Sequence, residues 1–174
     1  MRDVFAIVCL LVVLPCQGGC AHGVIALSTA VPAVSAPSGV LPIEVIARAA
    51  GVANPLPMRG SYLVFGAVEE SLGHAIGTAT LPWAEAHRPS EPEGWQLMVD
   101  LWQASAEHHR GSVTVQLGVR ATLRTRDGNR YVAQTQAHCK QSQLARSSDG
   151  AETFYGCMNS LGRELAGWLE SVKP

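Results

Sequence analysis

Between Trp95 and Gln141 apolar and polar residues alternate with a period of two. In "WQLMVDLWQAS", Trp95, Leu97, Val99 and Leu101 alternate with Gln96, Met98, Asp100 and Trp102. A polar stretch, "AEHHRG", follows and reads as a turn. In "SVTVQLGVRATLRTR", Val113, Val115, Leu117, Val119, Ala121 and Leu123 alternate with Thr114, Gln116, Gly118, Arg120, Thr122 and Arg124. Such alternation marks strands with one buried face. Asp127-Gly128 then signals a hairpin, because glycine supplies the positive φ that a tight turn needs. "RYVAQTQAHCKQ" returns as a third strand. The three form an antiparallel meander with one greasy and one wet face.

Two stretches carry the helical period instead. Phe154, Cys157, Met158, Leu161, Leu165, Trp168, Leu169 and Val172 recur every three to four residues, predicting a helix from about Ala151 to Val172, with Asp149 as a candidate cap. Val68, Leu72, Ala75, Ile76 and Ala79 predict an earlier helix ending or kinking at Pro82. "SYLVF", Ser61–Phe65, suits a short strand, and "HRPSEPEG" a loop. The expected architecture is α+β: a two-layer domain, a three- to four-stranded antiparallel meander covered on one face by two helices.

The N-terminal part differs. Residues 24–60 are rich in Ala, Val, Pro, Ser and Gly, as a tether would be. Within them "LPIEVIARAA", Leu41–Ala50, suits either a strand or a short helix. The chain starts with Met1-Arg2-Asp3 and the apolar run Val4–Leu14. That run falls short of the ~20 residues a membrane span needs, but suits the core of a secretory signal peptide. Gly18-Gly19-Cys20-Ala21 resembles the bacterial lipobox, with Cys20 as the lipidated residue; Gln17 departs from the apolar residue usual there. Lipidation at Cys16 and ordinary cleavage after Ala21-His22-Gly23 are the alternatives. The expected division is a signal peptide over 1–19, a partly flexible tether over 20–60 and an α+β domain over 61–174.

Cysteine usage follows from that division. Cys9 and Cys16 leave with the leader, and Cys20 carries lipid. Cys139 lies on the phase of Tyr131, Ala133, Thr135 and Ala137, and Cys157 lies on the apolar face of the last helix. An exported chain with one such pair suggests a disulfide; two buried free thiols are the alternative.

Chemistry for catalysis or cofactors is sparse. His108-His109 and His138 would need one another to hold zinc, and no H-x-x-x-H, H-E-x-x-H or C-x-x-C occurs. G-x-S-x-G, S-x-x-K and a phosphate-binding glycine loop are also missing, and Ser160 sits within a predicted helix. The expectation is no enzyme, no metal and no cofactor. A net charge of −1 gives no reason to expect nucleic acid as a partner. The wet face of the meander is richer. Trp102, Gln116, Arg120, Arg124, Arg126 and Lys140, with Gln134 and Gln136, make a basic face with one outward aromatic, suited to an acidic partner or lipid headgroups. A plain solvated face is the competing reading.

The order helix, meander, long terminal helix resembles the ABC-type transport auxiliary lipoproteins of the bacterial envelope. It rests on "GWQLMVDLWQASAEHHRGSVTVQLGVRATLRTRDGNRY" and "LGRELAGWLESV", over roughly residues 61–172. The resemblance implies a non-catalytic envelope lipoprotein, an accessory subunit or scaffold of a transport or assembly complex. Its partners would be a membrane, through the lipid anchor, and another envelope protein. Small lipoproteins that activate peptidoglycan synthases are related, and a soluble secreted or periplasmic binding module is the reading without the anchor. Ala21 after Cys20, rather than Asp, points by resemblance to the lipoproteins of Gram-negative bacteria to the outer membrane.

Overall fold

The alternating stretches of the sequence become the three longest strands of one sheet. The computed structural model describes residues 23–26, 42–61, 63–87, 94–128, 130–144 and 150–173. In chain order these form β1 (Gly23–Ala26), β2 (Ile43–Ala49), β3 (Leu56–Arg59), β4 (Leu63–Gly66), α1 (Val68–Ala86), β5 (Trp95–His109), β6 (Ser112–Thr125), β7 (Tyr131–Leu144) and α2 (Ala151–Ser171). β5, β6 and β7 are the antiparallel meander. Its apolar face meets both helices. Leu97, Val99, Leu101, Val115, Leu117, Val119, Ala121 and Leu123 share one core with Leu72 and Ile76 of α1 and Phe154, Met158, Leu161, Leu165 and Leu169 of α2. Aromatic rings close the core, with Phe65 and Phe154 centred 4.6 Å apart and Trp83 and Trp95 5.7 Å apart. The α+β class and the two covering helices are as the periodicity predicts.

The sheet is wider than the meander, with seven strands. β2 pairs in parallel with the first half of β5, Ile43↔Trp95 through Ala49↔Leu101. β3 takes over the same side of β5 at Met58↔Ala106 and Arg59↔Glu107, and continues through β4 to β1. Residues 43–59 therefore belong to the folded domain, although their composition suggests a tether and a domain boundary at 61. Val45, Ala47 and Val52 pack on the core, and Ile43, Leu56 and Met58 are buried in it; short apolar residues serve a sheet as well as a linker. Of the ambiguous segment 41–50, all that is described beyond its first residue is strand and strand end. Cys9, Cys16, Cys20, residues 27–41 and Asp149 lie outside the described residues. Gly150, with φ of 65°, occupies the N-cap of α2.

Four local readings are corrected. β5 runs on through His108 and His109, and the turn is only Arg110-Gly111, with φ of 50° and 79°. Two positive φ values in a two-residue loop match the twist of the flanking strands. Trp102 is an extra residue: Leu101 pairs with Val119 and Gln103 with Gly118, so the phase of β5 shifts there and Ala104 and Ala106 turn inward. A second irregularity in β7 pairs Leu123 with Ala133 but Arg124 with Tyr131. Tyr131 is thereby exposed on the wet side, out of the phase of Ala133, Ala137 and Cys139. Finally, α1 passes through Pro82 for another turn, reaching Ala86, with Trp83 and Ala84 buried.

Cys139 and Cys157 are joined by a disulfide, with Cα atoms 5.6 Å apart. It ties β7 to the middle of the last helix, and Gln141 Nε2 adds a hydrogen bond to Ser160 Oγ at 3.4 Å.

Candidate functional site: the outward face of the sheet

With helices on one side, the opposite face of β2, β5, β6 and β7 is left for solvent or a partner. Register places its residues in rows. The first runs Glu44, Gln96, Arg124, Tyr131, and another runs Arg48, Asp100, Arg120, Gln136. Past the irregularity at Trp102 come Gln103, Gly118, His138 and then Ser105, Gln116, Lys140.

The six predicted site residues divide into two groups. Arg124 and Arg126 belong to a polar network at the start of β5. Arg124 Nε donates to Gln96 Oε1 at 2.7 Å, and Gln96 Nε2 donates to Glu44 Oε2 at 2.9 Å. Arg126 Nε lies 3.8 Å from the same Glu44 oxygen. These two cations are engaged within the chain. Arg120, Gln116 and Lys140 instead flank Trp102 along β6 and β7, and Arg120 and Lys140 are exposed. Asp100, the register neighbour of Arg120, is engaged by Arg48, whose Nε and Nη2 donate to its Oδ1 at 3.0 and 2.7 Å.

Trp102 is the centre of the second group. It is 40% exposed, yet its orientation is set from three sides. Its place after the inward Leu101 puts its side chain on the wet face, and the irregularity in β5 brings Gln103 onto that face beside it. Gly118 on the facing strand leaves room for the ring: a Cβ there would stand 3.1 Å from Trp102 Cζ2, Gln103 Cβ and His138 Nδ1. His138 meets the indole edge-on, ring centres 5.1 Å apart and planes at 83°, an arrangement aromatic rings favour. A cleft of about 310 Å³ adjoins it, between residues 51–59 and Gln103–Ala106. Gly118 was the residue that alternation could not single out, because a mid-strand glycine on a wet face carries no periodic signal.

The other candidates do not assemble. His108 and His109 pair with Val113 and Ser112, whereas His138 pairs with Gly118. Six residues of β6 between Ser112 and Gly118 span roughly 20 Å, which keeps the three apart. Among the described residues no three His, Cys, Asp or Glu side chains gather as a metal site. Ser160 accepts hydrogen bonds from Gln141 and from Arg163 Nη2, at 3.4 and 3.1 Å. Among the described residues no helix is long and apolar enough to cross a membrane.

No family model matches the chain, and no curated protein does. Solved structures do. Protein XCC0632 of Xanthomonas campestris, of family DUF330, is 15% identical and superposes with a TM-score of 0.54 over 72% of this chain and 81% of its own. A proposed lipoprotein of Caulobacter crescentus is 14% identical, with a TM-score of 0.47 over 76% and 94%. A minor lipoprotein of Acinetobacter baumannii is 13% identical, with a TM-score of 0.46 over 62% and 91%. The Xanthomonas protein shows that this α+β arrangement recurs at very low identity, and identity that low speaks of fold alone.

Proposed function

We propose that the chain is a non-catalytic, lipid-anchored protein of the bacterial envelope, an accessory subunit or scaffold of a transport or envelope-assembly complex. Its anchor is Cys20, and its docking surface is the outward face centred on Trp102, with Arg120, Gln116 and Lys140 around it. The observation that carries this reading is the fixed, exposed Trp102 ring, held over Gly118 and against His138 among basic residues. Tryptophan and arginine concentrate binding energy at interfaces, and a ring already held in place loses little entropy on binding. The surrounding cations favour a partner with an acidic patch. The lipoprotein-like leader supports the envelope location. An ABC-type transport complex is the assembly that the sequence resemblance favours.

The test is a double variant, Trp102→Ala with Arg120→Glu, in the full chain. Cross-linked complexes are purified from native membranes, and the mature N-terminus is identified by mass spectrometry. The expected result is diacylglyceryl on Cys20, loss of the co-purifying envelope protein and a nearly unchanged melting temperature. Unaltered co-purification removes the outward face from the interface, and a free N-terminus without lipid removes the anchor.

A further inference from the structure

The second surface lies at the edge of the sheet and goes beyond the docking face. β2 pairs with β5, and among the described residues no strand covers its other side. The direction of its backbone groups follows from its ends. Pro42 O accepts from Trp95 N at 3.0 Å, and Ala50 N donates to Leu101 O at 2.8 Å. Both even-numbered ends face β5. Successive residues of a strand direct their amide groups to opposite sides, so Ile43, Val45, Ala47 and Ala49 face outward. Ala49 confirms the phase: its N–H leaves β5 and donates to Glu69 Oε1 at 3.2 Å. That contact closes one end of the edge and the burial of Ile43 closes the other, leaving Val45 and Ala47 to present donors and acceptors.

Beside this edge runs a groove of about 590 Å³ between β2 and α1. Ile43, Val45, Ile46, Ala47, Gly73 and Gly77 line its apolar part, with Glu70, His74 and Thr78 along the helix. The two glycines are not there for close packing. A Cβ at Gly73 would stand 3.5 Å from Ala47 Cβ, and one at Gly77 3.7 Å from Val45 Cγ2, both ordinary contacts. Glycine is a poor helix former, and each leaves a gap about one methyl group deep over β2. The charge is one-sided, because among the described residues no lysine or arginine lines the groove. Glu69 is occupied by Ala49 and by Asn54. Glu70 is exposed and has no partner among the described residues.

We propose that this edge receives an extended segment of a partner protein as an added strand. The segment is apolar on alternate residues and carries a lysine or arginine opposite Glu70. Main-chain hydrogen bonds to Val45 and Ala47 align it, and its apolar side chains lie in the groove along Val45, Ala47 and the glycine face of α1. This is strand addition, in which backbone pairing supplies affinity and side-chain slots supply selectivity.

The experiment uses the full mature chain and a synthetic capped peptide of alternating valine and threonine with one lysine. Amide hydrogen exchange and a binding titration are read together. At saturation the Val45 and Ala47 amides should exchange at least ~10-fold more slowly, as one added hydrogen bond each would allow, with β7 amides unchanged. Methylating alternate peptide nitrogens should weaken binding about 10-fold or more. The double variant Gly73→Ala with Gly77→Ala should melt no lower than the parent yet bind the peptide more weakly. Glu70→Gln should abolish the preference for lysine over norleucine in the peptide. No binding at millimolar peptide overturns the proposal, as does binding that ignores N-methylation. Val45 and Ala47 amides already protected in the chain alone overturn it too: protection that survives dilution means residues of the chain itself cover the edge, and protection lost on dilution means a second copy does. A detergent acyl chain that displaces the peptide without protecting any amide makes the groove a lipid slot, which also overturns it.

Discussion

Among the described residues β2 and β7 are open edges on either side of the meander, and they are built differently. β7 is guarded. Lys140 stands exposed among Gln134, Gln136, His138 and Ser142, an irregularity at Val132 breaks the regular ladder, and a disulfide fixes the strand to α2. Charges and irregular backbone are the usual means by which an edge is kept from pairing with other chains. β2 has an unbroken seven-residue register with β5 and apolar residues at Ile43, Val45, Ile46 and Ala47. Its two charged residues do not protect the edge, because Glu44 and Arg48 both lean back over the sheet to Gln96 and Asp100. One edge carries an exposed lysine and an irregular ladder, and the other carries neither over Val45 and Ala47.

The largest effect is expected at the guarded edge. Replacing Cys139 and Cys157 together by serine releases a closed loop with a sequence separation of 18. In the chain-entropy model a loop of that size contributes ~3 kcal/mol. The expected result is a loss of about that size in the urea unfolding free energy, with faster amide exchange in β7 and none in β2. Equal loosening of both edges would mean that the cross-link stabilises the domain as a whole, and the contrast between them would disappear.

The middle of the sheet comes next. Gly118→Val drives two further carbons and a Cβ into the space of Trp102, Gln103 and His138, all 3.1 Å from that Cβ position. Overpacking of this kind costs about 1–3 kcal/mol. The irregularity at Trp102 sits where β2 ends along β5 and β3 takes over. The disturbance should therefore spread to β2 and β3, read as faster exchange there than at the far end of β7, together with red-shifted tryptophan emission. A variant as stable as the parent would show that the ring has other room to lie.

How much of this was legible in the sequence depends on the kind of interaction. Alternation between Trp95 and Cys139 reports burial on one face, so the meander and its greasy face could be read directly, and the inward phase of Cys139 suggested the pairing with Cys157 that the fold contains. Irregularities leave a fainter mark. Strict alternation after Leu101 would bury Gln103 and Ser105, whereas Ala104 and Ala106 are the apolar residues; that break in phase was the available sign of the extra residue at Trp102. β2 carried only an ambiguous sign, since "LPIEVIARAA" suits a strand or a short helix, and β3 carried none; parallel pairing to β5 is a property of distant residues. The candidate face was half legible. Arg120 and Lys140 lie where alternation puts them, but the capture of Arg124 and Arg126 by Glu44 and Gln96 depends on β2 lying beside β5.

A smaller change, of opposite sign, isolates the open edge. Gly73→Ala should stabilise the chain by about 0.5–1 kcal/mol, because alanine restricts the unfolded backbone and its Cβ meets only an ordinary contact at Ala47. A raised midpoint in thermal unfolding is expected, with no change in β7 exchange. Destabilisation would mean that α1 and β2 are already in tight contact, leaving no room for an added strand.

The smallest effect is expected for Arg48→Ala, and it bears most directly on why the β2 edge is open. Arg48 is 56% exposed, and its pair with Asp100 is bathed in solvent. Exposed pairs contribute ~0.2–1 kcal/mol and weaken as salt screens them. The strand has stronger holds: its ladder to β5 and the burial of Ile43 against Trp95. The expected cost is under about 1 kcal/mol at low ionic strength, with most of it gone in 1 M salt. What the ion pair supplies is direction, since it keeps the guanidinium over the face and off the edge. Charge removal should therefore leave the amide exchange of Val45 and Ala47 unchanged. A larger, salt-insensitive cost would mean that β2 is pinned by its charges, in which case the two edges would differ in strength of attachment and not in access.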